Sequence, residues 1–154
     1  MMKKPRIRPI AICVFQHNDR ILVHQGYDNV KQESFYRPLG GGIDVGELSG
    51  DAVVREIKEE LNADILHPRL LGILESVFTY NDQLGHEIVF VYDAQFVDTA
   101  LYAQEKIIAV EGKRQFEAEW RSLQSLRSEE QGRLVPEDLW SLLDSEPGGQ
   151  NRLK

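Results

Sequence analysis

The sequence predicts an α/β fold, an α/β/α sandwich in which a central mixed β-sheet carries a helix on each side. Three observations predict it. Short apolar segments bounded by turn-forming residues recur along the chain, as strands do. An amphipathic helix follows three consecutive glycines, Gly40 to Gly42. A second, apolar-faced helix closes the pattern at Pro136 to Ser145. At 154 residues, with no internal repeat or linker, the chain reads as one domain over 1–154, with 146–154 as a frayed tail.

Taken in order, Arg8 to Phe15 reads as a strand and Arg20 to Gln25 as its hairpin partner, with His17-Asn18-Asp19 supplying turn chemistry. Gly26 to Ser34 is a polar loop, and Phe35 to Leu39 a short strand end confined by Pro38. The glycines allow a sharp turn and close backbone approach to a ligand. Beyond them Val53, Val54, Ile57 and Leu61 share one stripe at about 100° per residue. Ser49 or Asp51 caps that helix. Asp64 to Tyr80 and His86 to Phe96 form two long antiparallel strands joined by a five-residue loop, 81–85. Leu101 to Arg114 contains a short apolar piece, KIIAVEG, that suits a strand or edge segment, and AEWRSL follows as another strand. Proline opens the last helix and two acids sit at its positive end.

Glu56, Glu59 and Glu60 lie beside the apolar stripe of the first helix. Like charges four residues apart destabilise a helix by a few tenths of a kcal/mol per pair, so a compensating charge is expected, and a hard divalent cation suits carboxylate oxygens. The stretch Gly41, five residues, Glu47, seven residues, then Arg55-Glu56-Ile57-Lys58-Glu59-Glu60 resembles the Nudix box, the signature of hydrolases of nucleoside diphosphates linked to another moiety. The box runs to Ala63 and departs from the family at Asn62, which replaces the closing glycine; asparagine is the next-best residue for the left-handed conformation that ends a helix.

The resemblance implies a Nudix-like α/β/α sandwich and a magnesium-dependent pyrophosphohydrolase, with manganese as the alternative ion. It implies metal ligation by Glu56 and Glu60, by Glu59 directly or through water, and by the carbonyl of Gly41. Arg55 then orients the box, and Glu47 holds the turn against the helix. The general base is a box glutamate, Glu59 among them, or a carboxylate further on; Glu111 is the first choice there and Glu117 the second. Arg37 and Tyr80 are candidates for substrate contact, and Lys113-Arg114 for phosphate contact. Tyr80 stands seventeen residues past Ala63, about where diadenosine polyphosphate enzymes carry a tyrosine. No proline lies around Thr79, as ADP-ribose enzymes would have, and no SQPWPFPxS-like string of the NADH-cleaving group occurs. Phe35, Tyr36 and Phe78 could stack on a base or simply pack.

Hydrophobic residues at 42% and charged ones at 28% describe a soluble globule. A net charge of −7 argues against a nucleic-acid-coating protein, but bound cations can reverse the local field for a small phosphorylated substrate. Cys13, the single cysteine, is expected to be a buried, inert thiol. No signal peptide or membrane span is read, so the expected setting is cytoplasmic. The expected partner is a small-molecule nucleotide, not nucleic acid or membrane; a homodimer is left open. Two other readings compete with the enzyme: a non-catalytic nucleotide-sensing Nudix module, and an interaction protein with an acidic helix.

Overall fold

Strand β1 (Ile7–Val14) is apolar on both faces from Ile10 onward, and the fold is layered around it. In the computed structural model, which describes residues 4–145, Ala11, Cys13 and the following Phe15 enter one core while Ile10, Ile12 and Val14 enter another. Successive strand side chains point to opposite faces, so such a strand needs a covering layer on each side. Helix α1 (Ser49–Leu61) covers the first face with Val53 and Ile57. Helices α2 (Leu123–Arg127) and α3 (Leu139–Ser145) cover the second with Leu126 and Leu139. This is the sandwich predicted, with one helix the sequence did not announce. The expected tail, 146–154, lies outside the described residues.

The strands divide between two sheets. One runs β5 (Leu39–Gly42), β1, β7 (Gln83–Phe96), β6 (Ile65–Tyr80). The other runs β10 (Arg133–Leu134), β4 (Glu33–Arg37), β3 (Arg20–Asp28), β9 (Arg114–Ser122), β8 (Lys106–Glu111), with β2 (Gln16–His17) also on β3. Both are mixed, because β1 pairs in parallel with β7, and β10 with β4, among antiparallel neighbours.

Several local expectations are corrected. The first hairpin is only β2 with the start of β3, closed by Asn18 and Asp19 at φ 51° and 60°, while β1 pairs in the other sheet. The polar loop is shorter than read, since β3 continues to Asp28. There a buried carboxylate accepts from the amides of Val30 and Lys31 in its own turn and of Asn81 in the next hairpin. That hairpin is also tighter than expected, with Asn81 and Asp82 alone at positive φ between β6 and β7. The last helix begins at Leu139, not Pro136. Neither Ser49 nor Asp51 caps α1: Leu48 occupies that position without a side-chain bond, and the Ser49 hydroxyl instead shares a 2.6 Å hydrogen bond with Tyr92. The other end follows expectation, with Asn62 left-handed at φ 53° and its N–H donating to the Lys58 carbonyl. Cys13 is fully buried, and desolvation pushes its thiol far above the ordinary range. Among the described residues no helix is long and apolar enough to cross a membrane.

Candidate functional site

The glycines form a strand, not a turn. Gly40, Gly41 and Gly42 pair antiparallel with Ile12, Ala11 and Ile10, making β5 the edge strand beside β1, with α1 packed against both. Gly40 has φ +148°, and a β-carbon there would lie 2.1 Å from the Ala11 carbonyl oxygen. At Gly41 it would lie 2.6 Å from the Glu56 carboxyl. No larger residue fits either place without displacing backbone or the carboxylate: Gly40 lets β5 lie close on β1, and Gly41 lets Glu56 approach the strand.

Arg55 ties loop, strand and helix together. Its Nε and Nη2 donate to the two oxygens of Glu47 at 2.8 and 2.9 Å, a bidentate pair. Nη2 also donates to the Gly42 carbonyl at 3.0 Å, and Nη1 to Glu56 at 3.0 Å and Glu59 at 3.3 Å. Glu47 in turn accepts from the Asp44 amide, and these bonds hold its carboxyl down to about 2. Asp44, 3.5 Å from Arg55, is a latch member the sequence reading missed, although a D-x-G-E turn beside the glycines was there to be read.

One turn further on, Glu60 is only 6% exposed. The Gly40 N–H serves its carboxylate, yet Oε1 is buried with no partner among the described residues. Burial first, then the charges of Glu56 and Glu111, raise its carboxyl to about 8. Glu56 is also raised by burial, against the pull of Arg55. Glu59, which also accepts from Arg55, is the open member of the three, its side chain 59% exposed. Among the described residues no three acidic, histidine or cysteine side chains converge as a metal centre.

The structure brings Glu111, at the end of β8, within electrostatic reach of both Glu56 and Glu60, and pairs it with Arg114 at 3.3 Å. Glu117 points elsewhere, pairing with Lys106 and lining a separate 360 Å³ cavity. Arg37 lies near enough to Glu60 to favour its charge and pairs at 3.7 Å with the buried Glu87, which Arg8 also approaches at 3.8 Å. Arg8 and Glu87 were missed because only the β1–β7 register brings them together. His24, opposite Arg37 in the sheet, is lowered to about 4 by burial and by Arg37 and Arg114. Tyr80 is remote in sequence from this group and meets Phe35 edge-on at 5.7 Å, at the hairpin that Asp28 fastens. Tyr36 is core, under the Arg121 guanidinium.

The donor set fits a hard divalent cation: the buried carboxyl of Glu60 has an oxygen, Oε1, with no partner among the described residues, with Glu56 beside it and glycine backbone at close range. Fold and site together define the class, an α/β/α sandwich whose glycine strand faces a glutamate helix. The chain belongs to the Nudix family, whose NUDIX domain profile matches residues 5–141. That family generally uses divalent metal cations. A Pseudomonas aeruginosa protein named NAD-capped RNA hydrolase NudC is 26% identical over 122 residues, 79% of this chain and 38% of the relative. The uncharacterized Nudix hydrolase YvcI of Bacillus subtilis is 28% identical over 91 residues, 57% of this chain and 55% of the relative. The chain thus spans well under two-thirds of either. Among solved structures, a MutT NUDIX hydrolase from Burkholderia pseudomallei superposes with TM-score 0.65 at 22% identity, covering 91% of this chain and 98% of its own. An ADP compounds hydrolase superposes with TM-score 0.62 at 18% identity, covering 97% and 77%. The expectation of a Nudix family member stands on the family match, and the proteins it resembles carry hydrolase names.

Proposed function

We propose that this chain is a magnesium-dependent pyrophosphohydrolase that cleaves a phosphoanhydride in a nucleoside diphosphate linked to another moiety. The carrying observation is Glu60, a carboxylate held out of water with one oxygen unpartnered, between Glu56 and Glu111. A burial this costly is retained where a cation is to be bound. Glu56 and Glu60, with the Gly41 carbonyl, would hold magnesium or manganese, and Glu59 would join through water. When bound, the ion neutralises phosphate charge and makes a water more acidic.

The remaining steps belong to the chain's own residues. Arg55 fixes Glu56 against β5 and, through Glu47, locks the loop between strand and helix, so the ligand oxygens are oriented before substrate arrives. Arg37 and Arg114 face phosphate oxygens, and Tyr80 with Phe35 offers an aromatic edge for a base. Glu111, at the rim, takes the proton from the attacking water. Removing a proton is work for a carboxylate that solvent can reach, and Glu111's side chain is 68% exposed.

The relatives' names point to dinucleotide and ADP-containing compounds as the first substrates to try. A small nucleotide, not a polynucleotide, fits a chain of net charge −7 in a cytoplasmic nucleotide pool. The test measures nucleoside monophosphate release from ADP-ribose, NADH, diadenosine polyphosphates and nucleoside triphosphates, with magnesium and with chelator. Metal-dependent release from at least one of them is expected. Tight binding of a nucleotide with no turnover in any metal would replace the enzyme by the sensing module.

A further inference from the structure

We propose a second ligand site, at the end of β1 away from the glutamates: an open groove for a flat ring that carries an anionic group. The groove encloses about 720 Å³ and is lined by His17, Arg20, Phe96, Thr99 and Tyr102 with their neighbours. That volume lies within the roughly 300–1,000 Å³ typical of small-molecule sites. Ala11 marks the glutamate site through its pairing with Gly41. Val14, where β1 ends, is three residues on, about 10 Å at the rise of a strand, and Gln16 at the groove lies beyond it.

Three observations give the ligand's chemistry. The first is a rigid aromatic wall. The rings of His17 and Tyr102 lie 4.7 Å apart, both partly exposed, with Trp120 behind them at 5.6 Å from Tyr102. Tyr102 cannot swing away, because its hydroxyl accepts the Phe96 N–H at 2.9 Å and its ring meets Phe96 edge-on. Half-exposed rings fixed from behind present a π-face to a flat ligand at little conformational cost.

The second is an uncommitted cation. Arg20 stands directly across the β2–β3 pair from His17, so the two side chains share one face. Arg8, Arg37 and Arg55 each face a carboxylate, whereas no carboxylate among the described residues pairs with Arg20. Its guanidinium is free to take a planar or tetrahedral anion bidentately. The third is Gln16 on the same wall, whose Nε2 is buried and has no acceptor among the described residues. Ring wall and cation adjoin, as in recognition of a nucleoside monophosphate or an aromatic carboxylate. This site does not depend on the reading of the glutamates.

Trp120 lies behind the wall and gives the signal; the other tryptophan, Trp140, is stacked under Arg127 against the opposite core. Tryptophan fluorescence is followed in chelator during titration with AMP, adenosine, inorganic phosphate and benzoate, in a Trp140→Phe background whose melting temperature has been checked. AMP or benzoate is expected to give a saturable change, at least about tenfold tighter than adenosine or phosphate alone. Binding by AMP alone marks a phosphorylated ligand, and binding by benzoate alone marks a carboxylate; either supports the site. Arg20→Gln and His17→Ala should each weaken binding at least about tenfold, with melting temperature and pyrophosphohydrolase turnover unchanged. No saturable change up to about 10 mM, phosphate binding as tightly as AMP, or full affinity in both folded variants overturns the proposal.

Discussion

Glu47 and Glu60 belong to one short loop-and-helix segment and meet opposite surroundings. Glu47 has both oxygens on Arg55 and a backbone amide besides, and its carboxyl is held down to about 2. Glu60 keeps an oxygen with no partner and is pushed up to about 8. The first carboxylate is complete within the chain and serves architecture. The second is incomplete among the described residues, and the proposed cation would complete it. A family box therefore contains two kinds of glutamate, and spacing alone does not separate them.

Glu60→Gln sharpens that contrast most. It removes a metal-binding carboxylate from the deficient side, so turnover should fall at least about a hundredfold, while the melting temperature in chelator holds or rises because no carboxyl has to stay buried there. Unchanged activity would defeat the metal assignment. Gly41→Ala places a methyl where the Glu56 carboxyl sits, and should cost at least about tenfold in turnover with a folded chain; wild-type rates would show that Glu56 need not approach the strand. Arg55→Ala breaks the complete side. It leaves Glu47 and Glu56 without their cation, and chemical denaturation should show a loss of about 2–4 kcal/mol together with slower turnover. A loss below about half a kcal/mol would reduce the latch to a surface ion pair.

The pH dependence of stability tests the same division. Glu60's folded value, about 8, lies above its ordinary 4.5, so between those values the folded chain keeps a proton that the unfolded chain has released. Stability in chelator should therefore fall as pH rises through that window. Glu60→Gln should flatten this slope, as should magnesium; an equal slope in the variant would refute it. Glu47 works in the other direction: its contribution is full above about 4.5 and is lost as pH falls toward 2. The smallest effect is expected from Tyr80→Ala, a rise in KM of a few fold at constant kcat, since an edge aromatic contributes about 1 kcal/mol. No change in KM for any cleaved nucleotide would return Tyr80 to packing against Phe35.

Much of this was legible in the sequence. Periodicity located α1, and its buried Val53 and Ile57 follow the stripe; Val54 does not, being 41% exposed, because a stripe of that width has an edge and sequence cannot say where the neighbouring sheet stops. Asn62 was readable as a left-handed cap because few residues accept that conformation. Pairing was not readable. The segment before Asn18 looked like one hairpin arm, yet a change of sheet at Phe15 sends β1 to β5 and β7, and that long-range choice places Arg8 beside Glu87. The glycines looked like a turn because glycine is rare in strands; their reason lies across space, in Ala11 and Glu56. Short α2 carried too few residues for any period, although Ser122 caps it by accepting the Ser125 amide.

The lone thiol in β1 offers a practical dividend. Cys13 lies wholly inside the central strand, facing the core under α1, so alkylating reagents can reach it only when that layer opens. Its rate of labelling is thus a clock for the opening of the core beneath α1, readable by mass alone, and it can report whether an added ion or nucleotide slows that opening.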